Sequence, residues 1–314
     1  MSLAPFVRIV AQGKGRACAL TQNEAHTAMT LILSGEAAPE AVGALLMVLR
    51  LRGETDAEIA GFTQALRDHS AARLAPADLD WPCYAAGRTR GAPLFLLSAK
   101  LVAQAGYRVA LHGWNSHQST AADPRATLDQ LDLCDANLRY EPLETLSPAA
   151  FSLLKLRDTF GLRSCINTVL RMWNPAGASA SVQGVFHPSY RGLQSRAAEL
   201  LGDQNLTVIK GGGGEFERNP SKDAAIFGLR KGVALDVTAA ALVPETRRLH
   251  EPDLPIDLQE LWSGTQQDDF ALATVTGTAA LALWTLGGAA DINAAQTMAA
   301  SLWDNRHNQD RKIA

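Results

Sequence analysis

The chain has no close pair of cysteines. Its four, Cys18, Cys83, Cys134 and Cys165, are widely spaced and make no Cys-x-x-Cys unit, which argues against a zinc site or a disulfide framework and predicts a reducing, cytoplasmic setting. Net charge of either sign is missing as well. The formal balance is -3 over 314 residues, so any site for phosphates or nucleic acid has to come from local clustering of basic side chains. Long uninterrupted apolar runs are absent: the most apolar stretch, Phe270 to Ala290, is interspersed with threonine and glycine and reads as a buried helix, not a membrane span. Met1 to Val10 mixes Pro5 and Arg8 into a stretch too short to predict a signal peptide. No internal repeat or low-complexity linker is visible.

What is present is an ordinary globular composition, 47% apolar and 19% charged, long enough for a large core arranged as one domain or two lobes. Thr21-Gln22-Asn23-Glu24 and Thr55-Asp56-Ala57-Glu58 both have capping-box spacing and each precedes apolar residues at helical intervals. Between them Pro39 precedes the stripe Val42, Leu45, Leu46 and Leu49, so three short helices are expected in a row. After Pro76 the period changes. Leu79–Tyr84 and Tyr107–Leu111 read as strands around a helix from Ala92 to Gln104, and Ser181–Phe186 and Asn205–Ile209 as strands around a helix from Arg191 to Leu201. A helical insertion, roughly Pro148 to Val169, separates the two β-α-β units. The fold class predicted is α/β, a small all-helical domain with a larger α/β domain on a mainly parallel sheet. The expected boundaries are 1–75, completed by roughly 148–170, for the helical part, and 76–147 with 171–314 for the rest.

In such a sheet, ligands bind beyond the carboxyl ends of the strands, which directs attention to four loops. Gly87-Arg88-Thr89-Arg90-Gly91 lies between a strand and a helix start, where free N–H groups favour an anion and Arg88 and Arg90 add forked donors; the plain alternative is two solvated arginines. His112-Gly113-Trp114-Asn115-Ser116-His117 holds two histidines without a completing carboxylate or cysteine, so satisfied loop histidines are expected before a metal site. Trp114 is read either as a stacking platform or as core. Lys210-Gly211-Gly212-Gly213-Gly214-Glu215 is too glycine-rich to look like a packing device; it is expected either to let backbone approach a ligand or to be a plain flexible loop, and it lacks the Gly-Lys-Ser/Thr ending of a P-loop.

With these elements in place the order of motifs resembles the anthranilate phosphoribosyltransferase-like family, glycosyl transferase family 3. Gly53-Glu54-Thr55-Asp56-Ala57-Glu58-Ile59-Ala60-Gly61-Phe62 looks like its helical-domain signature, His112-Gly113 like part of its Lys-His-Gly-Asn-Arg, and Gly161-Leu162-Arg163, Ile166-Asn167 and Asn174-Pro175 like its central elements. Thr278 to Arg306 is similar to its alanine-rich C-terminal helices. The resemblance implies a fold of the nucleoside phosphorylase type and a homodimer through the helical domain. The catalytic positions depart from it. Ala85 to Arg90 stands where the enzymes carry the Gly-Thr-Gly-Gly-Asp-Gly cradle for phosphoribosyl pyrophosphate, Phe216 and Glu217 stand at the acidic pair that holds magnesium, and Leu170-Arg171 replaces Gly-Pro.

Small and acidic residues are therefore exchanged for cations, a direction similar to the family's non-biosynthetic branch, which binds nucleic acid. On that reading Arg88, Arg90, His112, Arg163, Arg171, Lys210, Arg218 and Lys222 contact a DNA or RNA backbone with little sequence specificity, with no catalytic residue, metal or cofactor. The alternative is a phosphoribosyltransferase using phosphoribosyl pyrophosphate and an aromatic acceptor held by Arg163, with magnesium required only in that case. A third reading is a dimer that binds a small anionic, phosphorylated metabolite without turning it over. No membrane partner is expected.

Overall fold

Both capping boxes form, and they seed a helical bundle. The computed structural model describes residues 2–13, 15–69, 74–84, 91–114, 124–131, 136–249 and 256–307. The bundle opens with α1 (Ala4–Ala11), which has Pro5 in its first turn, and continues with α2 (Gln22–Leu33), α3 (Pro39–Arg52) and α4 (Asp56–His69). Thr21 caps α2 in exchange with Glu24. The second box does more. The fully buried Glu58 carboxylate accepts the Thr55 N–H at 2.9 Å, the Leu20 N–H at 2.9 Å and the Arg52 guanidinium at 2.5 Å, so one side chain joins the starts of two helices to the end of a third. A charge that deep is tolerable only because each oxygen is met by donors.

The sheet is built from β1 (Leu79–Cys83), β2 (Val109–Gly113), β3 (Leu138–Pro142), β4 (Ala180–Val185), β5 (Asn205–Lys210), β6 (Ala224–Arg230) and β7 (Val233–Ala239), in the order β3-β2-β1-β4-β5-β6-β7. The first five run parallel and β6 and β7 are antiparallel. Helices α5 (Phe95–Gln104), α6 (Pro124–Leu131) and α7 (Leu143–Leu146) lie between β1 and the insertion formed by α8 (Pro148–Phe160) and α9 (Ile166–Arg171), and α10 (Tyr190–Leu200) crosses from β4 to β5. The chain ends with α11 (Leu258–Ser263), α12 (Asp269–Thr285) and α13 (Ile292–Asp304). No helix of the described residues is long and apolar enough to cross a membrane.

Alternation along the strands sorts the sheet's two faces. Leu79, Trp81, Val109, Leu111, Val182 and Ile209 pack with α5 and α12, whereas Tyr84, Val185, Leu206 and Val208 join the core of the bundle, α9 and α10. Three ties fix α4 and its entry to the second face. Arg67 grips Asp203 with a two-pronged ion pair at 2.8 and 3.0 Å and donates to the carbonyls of Met172 and Trp173. Asp56 accepts from Arg196 at 2.7 Å, and Glu54 accepts the Tyr190 hydroxyl at 3.0 Å.

The expected strands are found, β2 two residues later than its pattern suggests. Three were not expected: the edge strand β3 and the hairpin of β6 and β7. The hairpin's two-residue turn, Lys231-Gly232, has φ of 52° and 76°, the twist that a tight antiparallel connection needs. The bundle also gains α1 beyond the three helices foreseen.

Candidate functional site

The strand order reverses at β1, with β2 and β3 on one side and β4 and β5 on the other, which makes the β1/β4 junction the switch point of the sheet. These two strands pair only at Leu79 with Ala180 and Asp80 with Ser181, at their amino ends, and part toward their carboxyl ends. The resulting crevice faces α9 and the bundle.

A buried polar chain lines the sheet below it. Asp80 Oδ1 lies 3.1 Å from His112 Nε2, Asp80 Oδ2 accepts the Ser181 hydroxyl at 3.0 Å, and the Tyr84 hydroxyl lies 2.9 Å from His112 Nδ1. A carboxylate only accepts, so Nε2 carries the imidazole proton and Nδ1 accepts from Tyr84. Trp173 stands edge-to-face on the His112 ring at 6.0 Å. Burial is the main cause that holds the Tyr84 hydroxyl well above the ordinary tyrosine range, so it stays protonated and serves as a fixed donor.

Above this layer, a cavity of about 90 Å³ opens between the end of α3, the loop into α9 and the start of α10. Arg50, Arg163 and Arg171 line it with Thr168, Tyr190 and Gln194, and among the described residues no carboxylate lines it. Phe186, nearly half exposed, and His187 stand edge-to-face at its mouth, with ring centres 4.8 Å apart. Arg171 is 5% exposed; its Nη1 donates to the Asn167 carbonyl, while Nη2 has no partner among the described residues. Burial lowers its pKa, against an opposing field from Glu215. Arg163 is pushed down to about 10, by burial first and then by the positive charges of Arg157, Arg171 and Arg50. Three guanidiniums thus act on a fourth here, and every charge among the described residues that moves Arg163 is positive.

The structure brings together Arg163 and Arg171 of the positions read from the sequence and corrects several others. His112 is 0% exposed and fully engaged, so it meets no backbone phosphate. Arg218 is 1% exposed, wedged against Gly277 and Thr278 of α12 with its guanidinium donating to the Ala240 carbonyl. Burial holds its pKa down to about 10, and it acts as a core strut. Arg171 is likewise withdrawn from any surface groove. Lys210 and Lys222 are exposed but line no part of the cavity. Arg88, Arg90, Asn115 and His117 lie outside the described residues, as does Cys134. Trp114 packs edge-to-face on Phe151 at 4.9 Å, the core reading.

The glycine run is also corrected. It forms a tight turn on the sheet in which a Cβ at Gly211 would sit 1.6 Å from the Glu215 carbonyl oxygen, and one at Gly184 2.1 Å from it, so these glycines are packing devices. The turn delivers Phe216 into the core, edge-on to Trp81 at 5.4 Å, and Glu217 to the start of α5, where it accepts the Phe95 N–H at 2.9 Å. This pair does not fit magnesium: one member is an apolar core ring and the other caps a helix. Among the described residues no three histidine, cysteine or acidic side chains are grouped to hold a metal ion.

Sequence patterns did not reveal Arg50, Thr168, Tyr190 and Gln194, which come from distant segments. Asp80 could have been found, because a carboxylate within an otherwise apolar strand has to have a partner.

Known proteins share this architecture. The family model described as glycosyl transferase family, helical bundle domain, matches residues 7–70. The chain is 34% identical over 246 residues to the anthranilate phosphoribosyltransferase of Roseiflexus sp., covering 71% of this chain and 70% of that enzyme. It is 30% identical over 224 residues to that of Bordetella pertussis, covering 65% and 64%, so it spans just under two thirds of that relative. The crystal structure of the Thermus thermophilus anthranilate phosphoribosyltransferase superposes with a TM-score of 0.76 over 94% of this chain and 95% of the other, at 21% identity. From the helical bundle, the switch-point crevice and these similarities together, the chain belongs to the anthranilate phosphoribosyltransferase-like family, glycosyl transferase family 3.

Proposed function

We propose that the chain transfers a phosphoribosyl or related glycosyl group to an acidic acceptor held in the switch-point crevice. The observation that carries this reading is the arginine-lined cavity between bundle and sheet, which no carboxylate of the described residues lines. The activity of the matched relatives supports transfer over nucleic-acid binding, and the burial of His112, Arg171 and Arg218 takes three contacts away from the latter. In the transfer, a nucleophilic nitrogen or oxygen of the acceptor forms the bond to the anomeric carbon. The bond from that carbon to the pyrophosphate oxygen breaks, pyrophosphate leaves with the electron pair, and the proton on the attacking nitrogen or oxygen passes to the departing pyrophosphate or to water. The acceptor's role is to be oriented, and fixed guanidiniums do this without reorganising.

The same reading includes the two-lobe division at residues 1–75 with 148–170 against the remainder, and a homodimer through the helical part, whose α3 carries the exposed Leu51 in its last turn. Light scattering on the purified chain tests the dimer. The transfer itself is tested by pyrophosphate release from phosphoribosyl pyrophosphate with a panel of small acids, with and without magnesium. Release dependent on an acid and lost in Arg163→Ala supports it; no release with any acid, alongside tight binding of oligonucleotides, overturns it.

A further inference from the structure

We propose that the acidic group received by the arginine cavity is a phosphomonoester rather than an aromatic carboxylate. This rests on the acceptor role given to the cavity above and names the class of ligand that it takes.

Three observations lead there. First, the number of donors exceeds what a carboxylate can use. Arg50, Arg163 and Arg171 converge with the Thr168 side chain on one space, and the Arg171 Nη2 group, on a residue 5% exposed, has no acceptor among the described residues. A carboxylate offers two oxygens and a single charge, so it can meet a few of these donors but balances only one guanidinium. A phosphomonoester offers three terminal oxygens and a charge of about -1.5 to -2, and can accept from several forks at once.

Second, the charges that act on Arg163 among the described residues are all positive. The neighbours that act on Arg163 are Arg157, Arg171 and Arg50. Glu215 acts on Arg171 from the sheet side and Glu54 acts on Tyr190, whose hydroxyl it accepts; neither is among the charges that act on Arg163. A dianion relieves the repulsion among these cations more completely than a monoanion.

Third, the space is small. A cavity of about 90 Å³ is well under the roughly 300–1,000 Å³ of pockets that enclose a whole organic ligand. It admits a compact head group and leaves the body of the ligand at the mouth, where Phe186 and His187 present exposed aromatic faces.

The test compares phenyl phosphate with benzoate, which share a ring and differ in the acid, by titration calorimetry on the full chain at fixed ionic strength with no glycosyl donor added. Inorganic phosphate reports the head group alone. The expected result is phenyl phosphate binding at least tenfold tighter than benzoate, a loss of tenfold or more in Arg163→Ala and in Arg50→Ala, and no change in Lys222→Ala. Arg163→Lys keeps the charge but not the fork, so it loses less than Arg163→Ala and serves if the alanine variant does not fold. Benzoate binding as tightly as phenyl phosphate, or equal losses in Lys222→Ala, overturns the inference. The two readings fail separately: phosphomonoester binding without any pyrophosphate release removes the transfer and leaves this assignment standing. Turnover of carboxylate acceptors with no phosphate binding does the reverse.

Discussion

Tyr84→Phe removes one oxygen atom and tests the buried polar chain beneath the crevice. The hydroxyl is 2.9 Å from His112 Nδ1, and the histidine is 0% exposed, so solvent has no access to take its place. The imidazole cannot escape by shifting its proton to Nδ1, because Nε2 would then turn a lone pair on the Asp80 carboxylate 3.1 Å away. An acceptor left unsatisfied in such a place costs about 1–3 kcal/mol. With an unfolding entropy of about 2.1 cal/mol/K per residue over 314 residues, that is a fall in Tm of roughly 1.5–4.5 °C. Scanning calorimetry at neutral pH measures it. In a His112→Phe background the Tyr84 hydroxyl has already lost its partner, so the same substitution is expected to cost nothing or to stabilise, which gives a coupling of at least about 1–3 kcal/mol. If Tyr84→Phe costs the same in both backgrounds, or shifts Tm by less than about 1 °C, the hydrogen-bonded chain is not what holds these side chains.

Glu58→Gln keeps the shape of the side chain but removes the charge and turns amide hydrogens either toward Thr55 or toward Leu20 and Arg52, and is expected to destabilise by on the order of 3 kcal/mol in urea unfolding. Gly211→Ala places a methyl group 1.6 Å from a backbone oxygen, and about 3 kcal/mol or more of stability should be lost, with circular dichroism and Tm as readouts; a neutral result means that the turn is not packed as described. Asp78 is held below its ordinary value of 3.8 chiefly by its hydrogen bond from Arg108. Its contribution is therefore complete above about pH 5 and disappears as pH falls through the lowered pKa, so Tm curves of wild type and Asp78→Asn should differ at neutral pH and converge in acid. Curves that stay parallel down to pH 2 would show that the pair contributes no pH-dependent stability.

Much of the fold is legible residue by residue. The capping boxes at Thr21 and Thr55 announce their helices, and the apolar runs at Leu79 and Asn205 announce parallel strands, because capping and burial are local rules. The hairpin of β6 and β7 is less legible. Its turn is Lys-Gly rather than Asn-Gly, and β7 exposes Val233 and Val237, so it lacks a clear inside and outside. The site was harder still. A glycine run looks the same whether its lack of side chains serves a ligand or a neighbouring carbonyl, and only the position of Glu215 decides between them. Arginines at 50, 163 and 171 carry no mutual spacing signal, and Arg218 reads from sequence like any other basic residue until Gly277 is seen to make room for it. Asp80 with His112 is a pairing made by strand register, since His112 lies opposite Pro82 and one diagonal step from Asp80.

The ties of Arg67, Asp56 and Glu54 to Asp203, Arg196 and Tyr190 have a kinetic meaning. They join α4 and its entry to α10 and the turn after it, and α10 carries Tyr190 and Gln194 into the arginine cavity, so the cavity wall is already assembled before a ligand arrives. A site built in advance spends little of its binding energy on ordering side chains, and its association is governed by encounter instead of rearrangement. Ligands of one charge should therefore share similar arrival rates and be told apart by how long they stay.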